Sequence, residues 1–473
     1  MGRLSPLEKW SYAVGNMPYA VKDAAFINFV IFYYTQVQGL SGTLAGLAAF
    51  IAMSWDAITD PIVGSWSDTI RSRWGRRHPP ILLGGLPFAA LFVVLFAPPA
   101  DLGETGLFVW FTLAAMALRT FLTIYFIPYS AMGAELSTDY DERTVIAKAR
   151  VTMAWVAGML LPALAFAFIF QGDGDSDGRL IAANYTTYGF FSAAIAAVTL
   201  LFCVWGTRTV IARLPTASDK EPGFGLRKAI ADLRTALGNH NFRVSVGAKL
   251  AFGMAAGVYT TLALYMGTYF WEFSSEQLAG LVVPYAFGTL LAFSVIARLG
   301  TRHDKATLFG AASLVIAVNT FWFIGLRLFD LLPGNGHPLI YPLQWVNTVI
   351  AVFAVASVQI LGISLLADIL DEHEVATGRR QEGVFFAAST FVLKATSGVG
   401  SLVAGLVIDA AGIQSGSQPG EISAQSLAAL GWFNIVIICL LAMVAFLFAR
   451  RICLSREDHR EIRRTLDARA ASM

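Results

Sequence analysis

The sequence predicts an all-α membrane protein with twelve transmembrane helices in two pseudo-symmetric six-helix bundles. Three observations predict it. Of 473 residues, 56% are hydrophobic and only 14% are charged, whereas a soluble chain carries about one charged residue in four. Apolar runs such as Ile81–Ala100, Val151–Phe170 and Trp432–Ala449 reach the roughly 18 residues that cross a hydrocarbon core as a helix. The loops between the runs sort by charge along the chain. So many segments almost free of charge exclude the rival reading, buried helices of a large soluble protein.

Hydropathy and turn signals place the spans near 10–36, 43–69, 79–99, 106–133, 145–170, 184–206, 242–271, 277–299, 306–327, 340–370, 383–411 and 427–450. The longest interior polar stretch divides them six and six. The expected organisation is an N-terminal bundle over 1–206, a central loop over 207–241, a C-terminal bundle over 242–450 and a basic tail over 451–473. Alternate loops hold Arg71, Arg73, Arg76 and Arg77, then Arg143 and Lys148, then Arg298, Arg302 and Lys305, with the arginine-rich tail last. The other loops carry Asp101, Glu104, Asp173, Asp177 and Glu421 instead. Basic loops stay cytoplasmic, so both termini and the central loop are expected there. This plan resembles the major facilitator superfamily, in which solute binds near mid-membrane between halves that rock about it.

Other function classes fit poorly. Cys203, Cys439 and Cys453 show neither metal nor disulfide spacing, and the six histidines are scattered, so an enzyme is not expected. A channel or receptor would bring pore-lining repeats or a large extramembrane domain. The basic tail reads as a cytoplasmic anchor rather than a nucleic-acid site. The N-terminus lacks the features of a signal peptide or a myristoylation motif. An arginine-heavy, alanine-rich composition suggests a bacterial inner membrane. The expected partners are a small-molecule substrate and the lipid bilayer, with no nucleic acid, and the chain is expected to be a monomer.

Weak internal symmetry supports two related halves. Span 4 ends in Glu135 to Arg143, with Glu142 and Arg143 at its close, and its counterpart, span 10, ends in Asp368 to Glu374, followed by Arg379. The loop after span 2 holds Asp68 and Arg76. The expectation is that Asp68, Arg76, Glu142, Arg143, Asp368, Asp371 and Arg379 pair across the halves as a cytoplasmic gate; the alternative is solvated loop charges.

An ionised side chain at the bilayer centre costs at least about 2.5–3.5 kcal/mol on insertion scales, so each needs a reason. Lys22 and Asp23 lie in span 1, Asp56 and Asp60 in span 2, Arg119 in span 4, Lys394 in span 11, and Arg150 near the cytoplasmic end of span 5. Asp56 and Asp60, four apart, project from one helical face, and two close anions favour capture of a cation. Thr59 and Thr123 add oxygen ligands, and Pro61 frees a backbone carbonyl. The competing reading pairs each aspartate with Lys22, Arg119 or Arg150. Lys394 either binds solute, pairs with an aspartate of the other half, or snorkels. An intramembrane aspartyl protease would need its acids on two facing helices.

These stretches together resemble the glycoside–pentoside–hexuronide:cation symporter family. They are Lys22-Asp23, then Trp55-Asp56-Ala57-Ile58-Thr59-Asp60-Pro61 with Arg73-Trp74-Gly75-Arg76, then Ile127-Pro128-Tyr129 with Glu142-Arg143 and Arg150. Last come Ala367-Asp368 and Asp371, Gly378 to Gly383, and Lys394. The resemblance implies a cation site at Asp56 and Asp60, helped by Thr123, with Lys22, Asp23, Arg150 and Lys394 lining the substrate pocket. It implies no cofactor beyond a co-transported cation, Na⁺ first, with Li⁺ and H⁺ as alternatives. Two departures bear on the solute. Phe126 and Ser130 stand where the family's galactoside carrier has an aspartate and a tryptophan, and Arg119 stands where that carrier has no charge. They fit an anionic or less polar solute, such as a uronide, so Arg119 and Phe126 join the pocket. The sequence also resembles the sodium-dependent lysophosphatidylcholine symporters, which share the paired aspartates, a Pro-Tyr-Ser stretch and the span-11 lysine.

Overall fold

The computed structural model describes residues 4–137, 139–174, 176–213, 234, 236–378 and 381–471. Among these residues every regular element is helical. Eleven segments are long and apolar enough to cross a membrane unbroken: spans 2 to 6 (Gly42–Thr69, His78–Leu95, Glu104–Glu135, Asp141–Ile169, Ala182–Ile211) and spans 7 to 12 (His240–Phe270, Ser275–Leu299, Lys305–Leu328, Ile340–Thr377, Val384–Ala410, Ala424–Ala449). A polar interruption follows Thr207 and a new helix begins at His240, which keeps the six-and-six division.

Span 1 departs from expectation, because it is broken rather than continuous. A capped helix Pro6–Val14 ends at Gly15, and a second helix, Met17–Asn28, starts with Pro18 in its first turn. Proline cannot donate back to the preceding turn, so the ladder opens there. Backbone at such a break needs polar partners inside a membrane, and span 4 supplies two. The Tyr129 hydroxyl donates to the Tyr12 carbonyl at 2.7 Å, and the Tyr125 hydroxyl donates to that of Gly15. Span 1 closes in a π-helical turn over Tyr33–Val37, and spans 5 and 7 end likewise over Ala165–Ile169 and Met266–Phe270.

Twelve traversals bring both termini to one side. On the far side the two bundles are sealed together. Span 2 carries Gly42 and Gly46, and span 11 carries Ser401 and Gly405, a spacing of four on each helix that lets backbones approach closely. A Cβ on Gly46 would sit 2.7 Å from the Ser401 carbonyl oxygen. Asp409 then caps span 2 from the other bundle, accepting from the Gly42 and Thr43 amides at 2.7 Å each and from the Thr43 hydroxyl at 2.5 Å. Tyr269 donates to the Gln36 side chain at 2.9 Å, Tyr265 bonds to Thr35, and the Gly416 amide and Ser415 hydroxyl donate to the Gln36 carbonyl.

A run of hydrogen bonds joins the two bundles on this far side, and Lys394 joins them again in mid-membrane. The structure is therefore closed on the side opposite the termini. Among the described residues, the charges named for the gate find their partners within their own bundle, so the expected latch across the halves is not formed in this state, which is open on that side. Asp68 binds Arg77 at 2.7 Å, and Arg76 and Arg77 both bind Glu135. Burial alone disfavours the Arg77 charge, but Glu135 and Asp68 outweigh it and raise the pKa above the ordinary arginine value. Glu142 pairs with Lys9 at 2.8 Å, and Arg143 donates to the Ser137 carbonyl. In the second bundle Asp368 pairs with Lys305 at 2.7 Å, and Asp371 faces His459 and Arg463. Arg379 lies outside the described residues. The reason for local pairing is reach: each acid sits beside a base carried by its own bundle, and the bundles part on this side.

The tail forms a further helix, Arg456–Ala471, docked on span 10 through those aspartates.

Candidate functional site

Spans 2 and 4 run parallel and in register. Asp56 faces Arg119 and Asp60 faces Thr123, each pair 63 residues apart in sequence. Because both helices repeat these positions every four residues, two polar rungs form one turn apart. On the first rung, Arg119 Nε lies 3.1 Å from Asp56 Oδ1 and Nη2 lies 2.8 Å from Oδ2. Arg119 is 4% exposed and Asp56 7%. Its remaining nitrogen, Nη1, is buried with no hydrogen-bond partner among the described residues, and the guanidinium stands over the Phe26 ring at 5.5 Å. On the second rung the Thr123 hydroxyl donates to Asp60 Oδ1 at 2.9 Å, and Lys394 Nζ reaches Asp60 Oδ2 at 2.7 Å. Lys394 also lies 3.6 Å from Asp56. Of the readings open to Lys394, the structure places it against an aspartate of the opposite half.

Thr59 sits beside the aspartates but donates to the Trp55 carbonyl of its own helix at 3.3 Å, a self-satisfied geometry. Lys22 bonds Asp23 and stands 4.2 Å over the Tyr19 ring. Tyr19 packs against Phe126 with ring centroids 4.4 Å apart, so Phe126 belongs to the aromatic wall next to the charges. Arg150 donates to the Ser130 hydroxyl at 2.9 Å and more weakly to Tyr12 at 3.4 Å. Span 1 thus links the charged rungs to Arg150 through its broken segment. Two carboxylates and two basic side chains share the two rungs.

Lys249 in span 7 is not among the charges the sequence singled out. Its ammonium donates to Ser389 of span 11 at 2.8 Å. One basic residue within an apolar run near its terminal-side end reads as a snorkelling side chain; only the fold turns it inward between spans 7, 10 and 11. The far-side closure was also missed, although the four-residue spacing of its small residues was there to be read.

The family model for "MFS/sugar transport protein" matches residues 11–456. The chain belongs to that family. It is a membrane transporter of the major facilitator fold and not an enzyme. The inner membrane symporter YicJ of Escherichia coli is 25% identical over 442 residues, covering 92% of this chain and 88% of the relative. The sodium-dependent lysophosphatidylcholine symporter 1-B of Danio rerio is 26% identical over 503 residues, covering 94% of this chain and 87% of the relative. Among solved structures, the crystal structure of a D-xylose-proton symporter superposes with a TM-score of 0.65 at 13% identity, covering 94% of this chain and 97% of that one. That likeness speaks for the fold alone.

Proposed function

We propose that this chain is a secondary active transporter that carries a sugar, glycoside or uronide together with a cation by alternating access, with Na⁺ the first cation to test. The observation that carries the reading is the Asp60–Lys394 pair. It is a mid-membrane ion pair between the two bundles, and its two members separate when the bundles rock apart at that level. A cation that replaces Lys394 at Asp60, with the Thr123 hydroxyl beside it, leaves Lys394 free to meet the solute. Linkage then makes the effect mutual: whatever binds the lysine favours the cation at the aspartate, and the reverse.

The solute side rests on Arg150, whose partners among the described residues are two hydroxyl groups. A guanidinium with no carboxylate beside it offers the carboxylate of a uronide a bidentate partner. Lys22, Asp23 and the Tyr19–Phe126 wall complete a pocket with polar contacts and an apolar face. The alternative solute is a lysophospholipid, favoured by the Danio rerio relative's printed name. There Arg150 and Lys394 hold the head-group phosphate. The charge sorting of the loops supports cytoplasmic termini, and with that orientation the far-side closure supports an inward-open state in a bacterial inner membrane.

The test is uptake into proteoliposomes, and thermal stabilisation of the purified protein, across a panel of sugars, uronides and lysolipids with and without Na⁺. A sugar or uronide whose effect strengthens with cation is expected. A lysolipid response alone moves the protein to the lipid reading, and solute uptake that ignores every imposed cation gradient refutes symport.

A further inference from the structure

The two aspartates of span 2 are held in different ways. Asp56 is gripped through both oxygens by Arg119, a planar fork of donors that matches a carboxylate. Both residues sit in the first bundle, on parallel neighbouring helices, so rocking of one bundle against the other leaves their contact intact. Their side chains are 4% and 10% exposed. Asp60 is held through one oxygen by a flexible amine from the second bundle, and these side chains are 28% and 32% exposed. The Asp56–Arg119 pair is interior and internal to a rigid body, with Lys394 only a looser second partner of Asp56 at 3.6 Å; the Asp60–Lys394 pair is accessible and crosses the moving interface.

An incoming cation meets these two carboxylates unequally. To use Asp56 it must expel a buried guanidinium and leave that charge without a partner, which is strongly unfavourable. To use Asp60 it competes only with Lys394, which the transport motion itself removes. We propose that Arg119 is a built-in cation that withdraws Asp56 from the coupling site, leaving the exchangeable ion a one-carboxylate site at Asp60 and Thr123. Arg119 is then the residue that sets ion affinity and selectivity. A hard cation prefers several oxygen ligands, and here one of the two carboxylates next to it is already neutralised. The inference rests on the cation-coupled reading above.

The experiment uses the full-length protein and measures stabilisation by NaCl against choline chloride at constant ionic strength, together with Na⁺-driven uptake of the solute found above. Arg119→Gln frees the second carboxylate and is expected to lower the half-saturating Na⁺ concentration at least about tenfold. In the paired Asp56→Asn/Arg119→Gln variant, which buries no unpaired charge, that gain is expected to vanish and the Na⁺ response to match the wild type. Asp60→Asn is expected to abolish the response in either background. If the paired variant loses a Na⁺ response that the wild type has, Asp56 is an ion ligand and the proposal falls, while symport stands. If Arg119→Gln folds and gains nothing, the proposal falls too. If Asp60→Asn changes nothing, the cation-coupled reading itself falls.

Discussion

Asp409→Ala is expected to unlatch the far side. Asp409, on span 11, accepts three hydrogen bonds from the first turn of span 2 and so works as a helix cap supplied by the opposite bundle. Loss of a capping side chain costs about 0.5–2 kcal/mol, and hydrogen bonds to a charged group contribute about 1.5–3 kcal/mol each when shielded. Asp409 is exposed, so the capping range applies, in its upper part because three donors are lost, about 1.5 kcal/mol in all. That energy is lost only from the state closed on the far side, because capping spans the two bundles. The ratio of far-side-closed to far-side-open molecules falls about tenfold. Spin labels at Asp101 and Leu331, on far-side turns of different bundles, report this by distance measurement, with the native cysteines replaced. Growth of a longer-distance population is expected; an unchanged distribution in a folded variant would refute the capping argument.

Gly405→Val places a branched side chain against the Gly42 carbonyl; transport is expected to stop, with the same labels showing a protein held open on the far side. Arg150→Ala removes the charged donor to Ser130 and Tyr12 and is expected to weaken solute-dependent thermal stabilisation about tenfold, more for an acidic sugar than for a neutral one. Asp371→Ala takes the shared partner from His459 and Arg463. The two bases on the tail helix are partly exposed, and pairs of that kind contribute about 0.2–1 kcal/mol, so hydrogen exchange across 456–471 is expected to quicken by up to about fivefold, with the spans unchanged.

Much of this molecule was legible in its sequence because the bilayer restricts the choices. Most spans read from hydropathy begin and end within a few residues of the helices, as with 43–69 against Gly42–Thr69, since length and apolarity decide both; span 10 is an exception, its helix running on past 370 to Thr377. The break at Gly15 had a signal in Gly-Asn-Met-Pro, but local signals of that kind are overridden when a run is apolar on both sides. The tail helix was read only as a charged tail. Its docking depends on Asp368 and Asp371, which lie far off in sequence. Spacing put Asp56 and Asp60 on one face and Thr123 within reach, yet it left the partner of Asp56 open between three bases. Only the register of spans 2 and 4 selects Arg119. The gate residues are a different case: symmetry located the clusters, but whether charges pair within or between bundles depends on which side of the membrane is closed, and this state is open on theirs.

The π-helical turns that end spans 1 and 7 carry one more residue per turn than the helices below them, and they touch each other through Tyr269 and Gln36. One extra residue turns everything beyond it by about 100°. Each span is therefore aimed twice: its lower part presents Lys22 and Asp23, or Lys249, in one direction, while its tip presents tyrosines to the other bundle in a direction set independently. Deleting a single residue from either turn would swing that tip away from its mate without disturbing the charges beneath, so the lock and the load can be altered separately.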